Sequence, residues 1–277
     1  MLNMKKKTRL LVLAALYLVI SVLGLVWGEF GHPRRLEIIF FDVGQGDASL
    51  VSLPDGQRVL IDGGPDNSVL SRLGDNLPYG RRTIDLMLAS HYHDDHISGL
   101  LSVMERYQVG RVIYPTGNKS NELWEYFLRR AEILGLELVP IEGNANLRLT
   151  PSCSLFLLNS NSLGVAQDEN NSLIAKLNCS DLKVLWSGDS GAKVEMGLLS
   201  ADVDLQADIM KAGHHGSKSS NSQAFLQAVN PGSLVISSGA DNRFGHPSPE
   251  VIERAEALGI HIYRTDEQGD IKFFGQD

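Results

Sequence analysis

The sequence predicts an α/β protein in which two β-sheets pack face to face and helices cover their outer surfaces. Two observations carry this. Short apolar runs bounded by Gly, Pro, Asn, Asp and Ser recur from residue 36 to residue 274. Each half of that stretch also follows one scheme, several strands and then helix–strand units, which suits sheets that bury one face against each other.

Residues 1–30 stand apart. Lys5, Lys6, Lys7 and Arg9 precede nineteen uncharged residues, Leu10 to Gly28. As a helix that run would be roughly 28 Å long, close to the hydrocarbon core of a bilayer at about 30 Å. Nothing polar marks a solvent face on it. The expectation is a transmembrane anchor or signal segment over 1–30, followed by one domain over 31–277. Basic residues before the run and Glu29 after it keep the N-terminus cytoplasmic and export the rest. The expected location is the cell membrane, single pass, or outside the cell if the segment is cleaved.

Beyond the linker GEFGHPRR, strands are expected at 36–43, 48–53, 57–62 and 84–90, with PDG turning the chain at 54–56. Helices follow at 95–107 and 120–134. The second half has strands near 153–158, 172–178 and 182–187 and a helix near 190–199. It continues with a strand at 207–212, a helix near 220–229, a strand at 233–238, a helix near 248–258, and short strands at 261–265 and 271–274. No low-complexity stretch divides 31–277. Cys153 opens one strand and Cys179 closes the next. If the two strands pair as a hairpin the cysteines face each other near its open end, as a disulfide or as two separate buried thiols.

The formal charge is -8, and it becomes -12 once the basic residues 1–28 are set aside. That acidity excludes a protein that holds nucleic acid by bulk charge. Local patches, Arg81–Arg82 and Lys211 with Lys218, remain for engaging a strand.

Six of the eight histidines fall in three short motifs. In HYHDDH, His91 and His93 alternate on an extended segment that leaves an apolar strand, so both point the same way and can grip one metal. Asp95 and His96 follow at a helix start, aimed at a different point, which suits a second metal, or an orienting carboxylate plus a ligand. Three His and two Asp in six residues have no packing explanation. In VLWSGDSG a strand delivers Asp189 on a Gly-flanked turn, where a carboxylate can bridge two ions. In ADIMKAGHHGSKSS another strand ends in His214 and His215. On an extended chain these face different ways, so one is expected to ligate and the other to meet substrate. NRFGHPSPEVI puts His246 on a loop before a helix.

HYHDDH resembles the HxHxDH signature of the metallo-β-lactamase superfamily. The order DVGQGDA, IDGG, SHxxxDH, NNSL, SGD, KAGHHGSKSS, GHPSPEV is similar to one branch, the hydrolase domain of the ComEC-family DNA-uptake (competence) proteins. The resemblance covers about residues 36–274 and leaves out the channel portion of those proteins. It implies a four-layer αβ/βα sandwich with a metal site at the rim of the two sheets. It implies His91 and His93 as ligands of one metal, Asp95 and His96 of the other, Asp189 as the bridge and His215 as the last ligand. His214 and His246 line the substrate pocket, Asp42 supports it, and Gly63–Gly64 allow close backbone approach. Two departures stand out. No histidine lies between His96 and His214, where many superfamily members have one and where Asn170 or Asn171 stands here. His93 occupies a place where the branch often has Asp.

The expected function is metal-dependent hydrolysis of phosphate esters, with two divalent ions, Zn or Mn, activating water. Asp95 would orient the nucleophile, and His214 or His246 would protonate the leaving group. Ser217, Lys218 and Asn171 would hold the phosphate. The expected partner is a phosphodiester, with single-stranded DNA favoured and a choline-phosphate or cell-wall ester as alternative. A reading of another class is a membrane-anchored DNA-binding module with an incomplete metal site.

Overall fold

The computed structural model describes residues 2–30, 35–117, 120–165, 172–180 and 182–275, with side chains of the first helix described over 7–23. The chain runs α1 (Leu2–Phe30), β1 (Glu37–Phe40), β2 (Ser49–Ser52), β3 (Arg58–Ile61), α2 (Ser68–Asn76), β4 (Thr83–Leu88), α3 (Asp94–Arg106), β5 (Gln108–Pro115), α4 (Glu122–Ile133) and β6 (Glu137–Ile141). It continues β7 (Asn144–Arg148), β8 (Cys153–Asn159), β9 (Leu173–Cys179), β10 (Lys183–Trp186), α5 (Ala192–Ser200), β11 (Ile209–Lys211), α6 (Gln223–Val229), β12 (Ser233–Ile236), α7 (Pro249–Ala257), β13 (His261–Arg264), α8 (Thr265–Gln268) and β14 (Ile271–Phe274).

The strands form two seven-stranded sheets, β14-β1-β2-β3-β4-β5-β6 and β13-β12-β11-β10-β9-β8-β7. Three apolar clusters mark the boundaries between four layers. One lies between the sheets and joins Phe40, Val51, Ile61 and Leu88 to Leu155, Leu177, Val184 and Trp186. The second joins the first sheet to α2, α3 and α4, and the third joins the second sheet to α5, α6 and α7. This is the sandwich expected from the sequence. Phe40 and Trp186 stack across the sheets at 5.9 Å, and the Trp186 indole donates to Ser49 Oγ at 3.2 Å, so the inter-sheet contact is specific as well as apolar. Strand alternation explains the division: Val59 and Ile61 face the other sheet while Leu60 faces the helices.

Among the described residues five labelled elements lie outside the expected set: α2, β5, β6, β7 and the four-residue α8. In β5 the sequence QVGRVIYP carries Gly and Pro, and only Val112, Ile113 and Pro115 are buried. β6 and β7 sit at sheet edges, mostly exposed, so their hydrophobic signal is weak. α2 carries Gly74 and an Asp–Asn end.

β8 and β9 do pair antiparallel, with Cys153 opposite Cys179, and the two form a disulfide. Among the described residues no helix is long and apolar enough to cross a membrane. The expected span is thus not shown by the fold. The described apolar side chains of α1 are exposed all round, among them Leu10, Tyr17 and Leu18.

Candidate metal centre

The centre is built at strand ends. β4 carries its apolar run to Leu88 and Ala89, after which Ser90–His91–Tyr92–His93 leave extended and α3 starts. Asp94 and Asp95 in the first turn of α3 suit the positive end of its dipole. α3 is pressed onto the IDGG loop. A Cβ on Gly99 would lie 1.8 Å from the Gly63 carbonyl oxygen, so only glycine permits that approach. Gly63 N donates to His96 O at 2.7 Å, Gly64 N to Asp47 O at 2.8 Å, and Asp47 N to Asp95 O at 3.1 Å. These backbone bonds lock three loops together under the histidines.

Two groups of donor atoms result. His91, His93 and Asp189 each offer an atom within 4.8 Å of the others, and so do Asp47, His96, Asp189 and His215. Asp189 belongs to both. Its Oδ2 is 3.6 Å from His91 Nε2, and its Oδ1 is 3.3 Å from His96 Nε2 and 3.6 Å from His215 Nε2. His91 Nε2 faces His93 Nδ1 at 3.0 Å. Asp95 completes the second group, with Oδ2 3.2 Å from His215 Nε2 and Oδ1 4.0 Å from His96 Nε2. The six residues named from sequence as ligands therefore converge.

The far side of each ring is held by another group. His96 Nδ1 lies 2.9 Å from Asp62 Oδ2, and Ser90 Oγ also donates to that oxygen at 2.7 Å. His91 Nδ1 lies 3.0 Å from Ser90 Oγ. His215 Nδ1 meets Asp47 Oδ1 and the Ser237 carbonyl, both at 3.1 Å. The other Asp47 oxygen takes Lys211 Nζ at 2.6 Å. With both oxygens engaged, Asp47 orients His215 and does not complete the donor set, although it lies within reach. By contrast His96 Nε2, His215 Nε2 and Asp189 Oδ1 are buried without hydrogen-bond partners and aim at one point. Buried nitrogens and a carboxylate oxygen left unpaired on one point fit a divalent cation.

Charge in the bare site follows the same geometry. Burial alone would raise Asp189, but His96, His215 and His91 hold it well below the usual carboxylate range. Asp95 is likewise held far down against burial by the His215 imidazole 3.2 Å away and the charge of His96. Asp47, against burial, is held at about 2 by Lys211 and His215. Burial would lower His215, but Asp189 and Asp47 lift it to about 9; His96 is lifted well above its ordinary value by Asp189 and Asp62. A metal takes the unprotonated nitrogen, so a cation held by His96 and His215 would displace any proton from them. His93 is pushed down to about 4 by burial and the neighbouring His91.

His214 and His215 depart from the expected extended chain. Residues 213–216 form a tight 3₁₀ turn in which His214 (φ 48°) and His215 (φ 52°) are both left-handed. Both rings therefore approach the same carboxylate, with His214 Nε2 3.8 Å from Asp189 Oδ2. Such backbone persists where the surroundings enforce it, here through His214 N to Gly188 O at 3.0 Å and Gly213 N to Asn221 Oδ1 at 2.8 Å. His246 is half-buried with its ring centre 5.5 Å from that of His214, held by its N–H to Asn242 Oδ1 at 3.0 Å. Burial lowers His214, and burial with the charges of His214 and His215 lowers His246 to about 4.

Other expected residues stand elsewhere. Asp42 is paired with Arg72 at 3.2 Å, and the supporting carboxylates are Asp47 and Asp62. Lys211 is buried against Asp47 and is not part of a surface patch. Ser217 is buried with its hydroxyl 3.0 Å from that of Ser219, and Lys218 is exposed. Asn170 and Asn171 lie outside the described residues. Asp47, Asp62 and Ser90 were missed as orienting groups, though each closes a short motif at a strand end.

Residues 41–148 match the model of the Metallo-beta-lactamase superfamily. The chain is 28% identical over 254 residues to ComE operon protein 3 of Bacillus subtilis, covering 86% of this chain and 33% of that protein. It is 26% identical over 250 residues to competence protein ComA of Neisseria gonorrhoeae, covering 85% and 32%. It thus spans about a third of the length of these relatives. Among solved structures it is similar to the metallo-beta-lactamase fold protein YhfI of Bacillus subtilis, with a TM-score of 0.61 at 13% identity, covering 87% of this chain and 100% of that one. Over residues 41–148 the chain thus resembles the metallo-beta-lactamase superfamily, and over most of its length it is similar to one part of the competence proteins.

Proposed function

We propose that this metal-dependent hydrolase acts on phosphodiesters, with a DNA strand as the favoured substrate. The observation that carries the reading is Asp189, one buried carboxylate shared by two groups of donors. Sites of that kind hold two ions, which supply an activated water and neutralise charge on the phosphoryl oxygens. His91, His93 and Asp189 would hold one ion; His96, Asp95, Asp189 and His215 the other. Asp95, the most exposed carboxylate of the group, would orient the attacking water. His214 and His246, half-buried side by side at the rim, would hand the leaving oxygen a hydrogen bond or proton. With the Ser217 hydroxyl engaged by Ser219, the phosphate would fall to Lys218 and Asn171. Kinship with competence proteins supports DNA as substrate. The acidity of the domain means that ions and a local pocket must hold the strand, since the surface as a whole repels it.

The reading also places α1 in a membrane and the domain outside the cell. Four basic residues before the apolar run, the exposed apolar side chains of α1 and a disulfide, which persists in oxidising compartments, support this. The test is hydrolysis of single-stranded DNA, duplex DNA and bis(p-nitrophenyl) phosphate by the full chain with Mn²⁺ or Zn²⁺. Activity that chelator removes, and that His91→Ala and Asp189→Ala lose while staying folded, is expected. Chelator-insensitive hydrolysis, or full activity in both variants, would overturn it.

A further inference from the structure

We infer that the protein has a second binding site, for a phosphate-bearing nucleotide unit, at the opposite end of the strands from the metal centre. A cavity of about 440 Å³ lies there, lined by Leu70, Leu73 and Leu77 of the α2 region, by Tyr79, Arg81 and Arg82 ahead of β4, and by Arg106 and Tyr107 after α3. It collects three arginines and no acidic side chain, in a domain whose net charge is -11. Neither Arg82 nor Arg106 forms an ion pair among the described residues.

A fourth arginine lies beneath. Arg58 is 2% exposed, and its Nε and Nη2 find no hydrogen-bond partner. Along β3 its neighbour Val59 faces the other sheet, so Arg58 shares the helix-side face with Leu60. On that face Leu60 packs in one cluster with Leu70, Leu73, Leu77 and Tyr107, four of the residues that line the cavity. Burial, and then the charge of Arg81, lower the Arg58 pKa against the charge of Asp85, whose carboxylate accepts from the Arg58 backbone N–H at 2.8 Å, so the guanidinium groups of Arg58 and Arg81 lie in each other's field. Donors left unpaired in a buried guanidinium cost stability, and a phosphate supplies acceptors for them.

The two tyrosines narrow the class of ligand. Tyr79 is fully exposed at the mouth, and Tyr107 is partly buried beside Arg82. Arginines on phosphate with an exposed aromatic ring, here Tyr79, to stack a base is the chemistry that binds nucleotide units, free or within a strand. The cavity is of the size that takes one small ligand. From Arg82 to Ser90 the extended chain of β4 covers about 25 Å, so a ligand here cannot touch the metal centre. The site is independent of the reaction assigned to that centre.

The test is equilibrium binding to the purified full chain with three probes: deoxyadenosine monophosphate, inorganic phosphate and a short oligothymidylate. Saturable binding of the nucleotide is expected, tighter than that of phosphate. Arg81→Ala/Arg106→Ala should weaken it tenfold or more and Tyr79→Ala several-fold, with metal content unchanged. Asp189→Ala should bind the nucleotide as wild type does. Oligothymidylate binding more tightly than the mononucleotide identifies a strand as the source; equal binding identifies the free nucleotide. Either supports the site. Absence of saturable binding of any probe, phosphate binding as tightly as the nucleotide, or loss in Asp189→Ala without loss in the arginine variant would each overturn it. The last outcome separates this proposal from the metal-centre reading.

Discussion

Lys211 Nζ lies 2.6 Å from Asp47 Oδ2, a buried ion pair that joins the end of β11 in one sheet to the loop between β1 and β2 in the other. Asp47 holds His215 with its second oxygen, so the pair sets the angle of a histidine facing the metal centre. Removing only the cation would leave a buried carboxylate charge. Lys211→Met is expected to cost about 3–5 kcal/mol, and Lys211→Met with Asp47→Asn less than the single change. Denaturant unfolding of the metal-free protein measures both.

Asp189 belongs to two donor groups, and His93 to one. Asp189→Ala should therefore lose both ions, while His93→Ala should lose one and keep the other. Metal analysis of purified protein at equal supplied metal reads the difference. Equal losses in the two variants would remove the bridging role.

Asp62 binds His96 and Ser90 and acts through them. Asp62→Asn should lower metal affinity by about 10–100-fold without abolishing folding. A competition titration with a chromophoric chelator checks this.

The disulfide closes a loop of 26 residues at the open end of the β8–β9 hairpin. Cys153→Ser with Cys179→Ser is expected to cost about 3 kcal/mol, and reducing agent should have the same effect on wild type and none on the variant. Unfolding curves with and without reductant decide it.

Glu195 on α5 is buried, and its carboxylate accepts from the backbone N–H groups of Asn221 and Ser222. Burial raises its pKa above the ordinary value. A raised folded-state value means that the native state binds the proton more tightly than the unfolded chain does. Its contribution to stability is fully present below the ordinary carboxylate range and is lost as pH rises through the raised folded value. Glu195→Gln, which has no proton to lose, should cost about 1 kcal/mol at low pH and lack that slope. Urea unfolding across mildly acidic to neutral pH separates the two.

Much of the centre was legible because its residues sit where local signals are strong. His91, His93, Asp95 and His96 crowd six positions after an apolar strand, and Asp189 and His215 each close another. The α/β class and the facing of Cys153 and Cys179 followed from strand length and alternation. Tertiary structure alone decided the rest. The left-handed turn at His214–His215 is imposed by bonds from Gly188 and Asn221, against the preference of the residues themselves. That Asp47 rather than Asp42 serves His215, and that Lys211 turns inward, depends on which strand ends the two sheets bring together. Edge strands β6 and β7 exist because of their neighbours and show little pattern of their own. Local propensity is written in consecutive residues; the pairing of loops from two sheets is a property of packing, which no single segment contains.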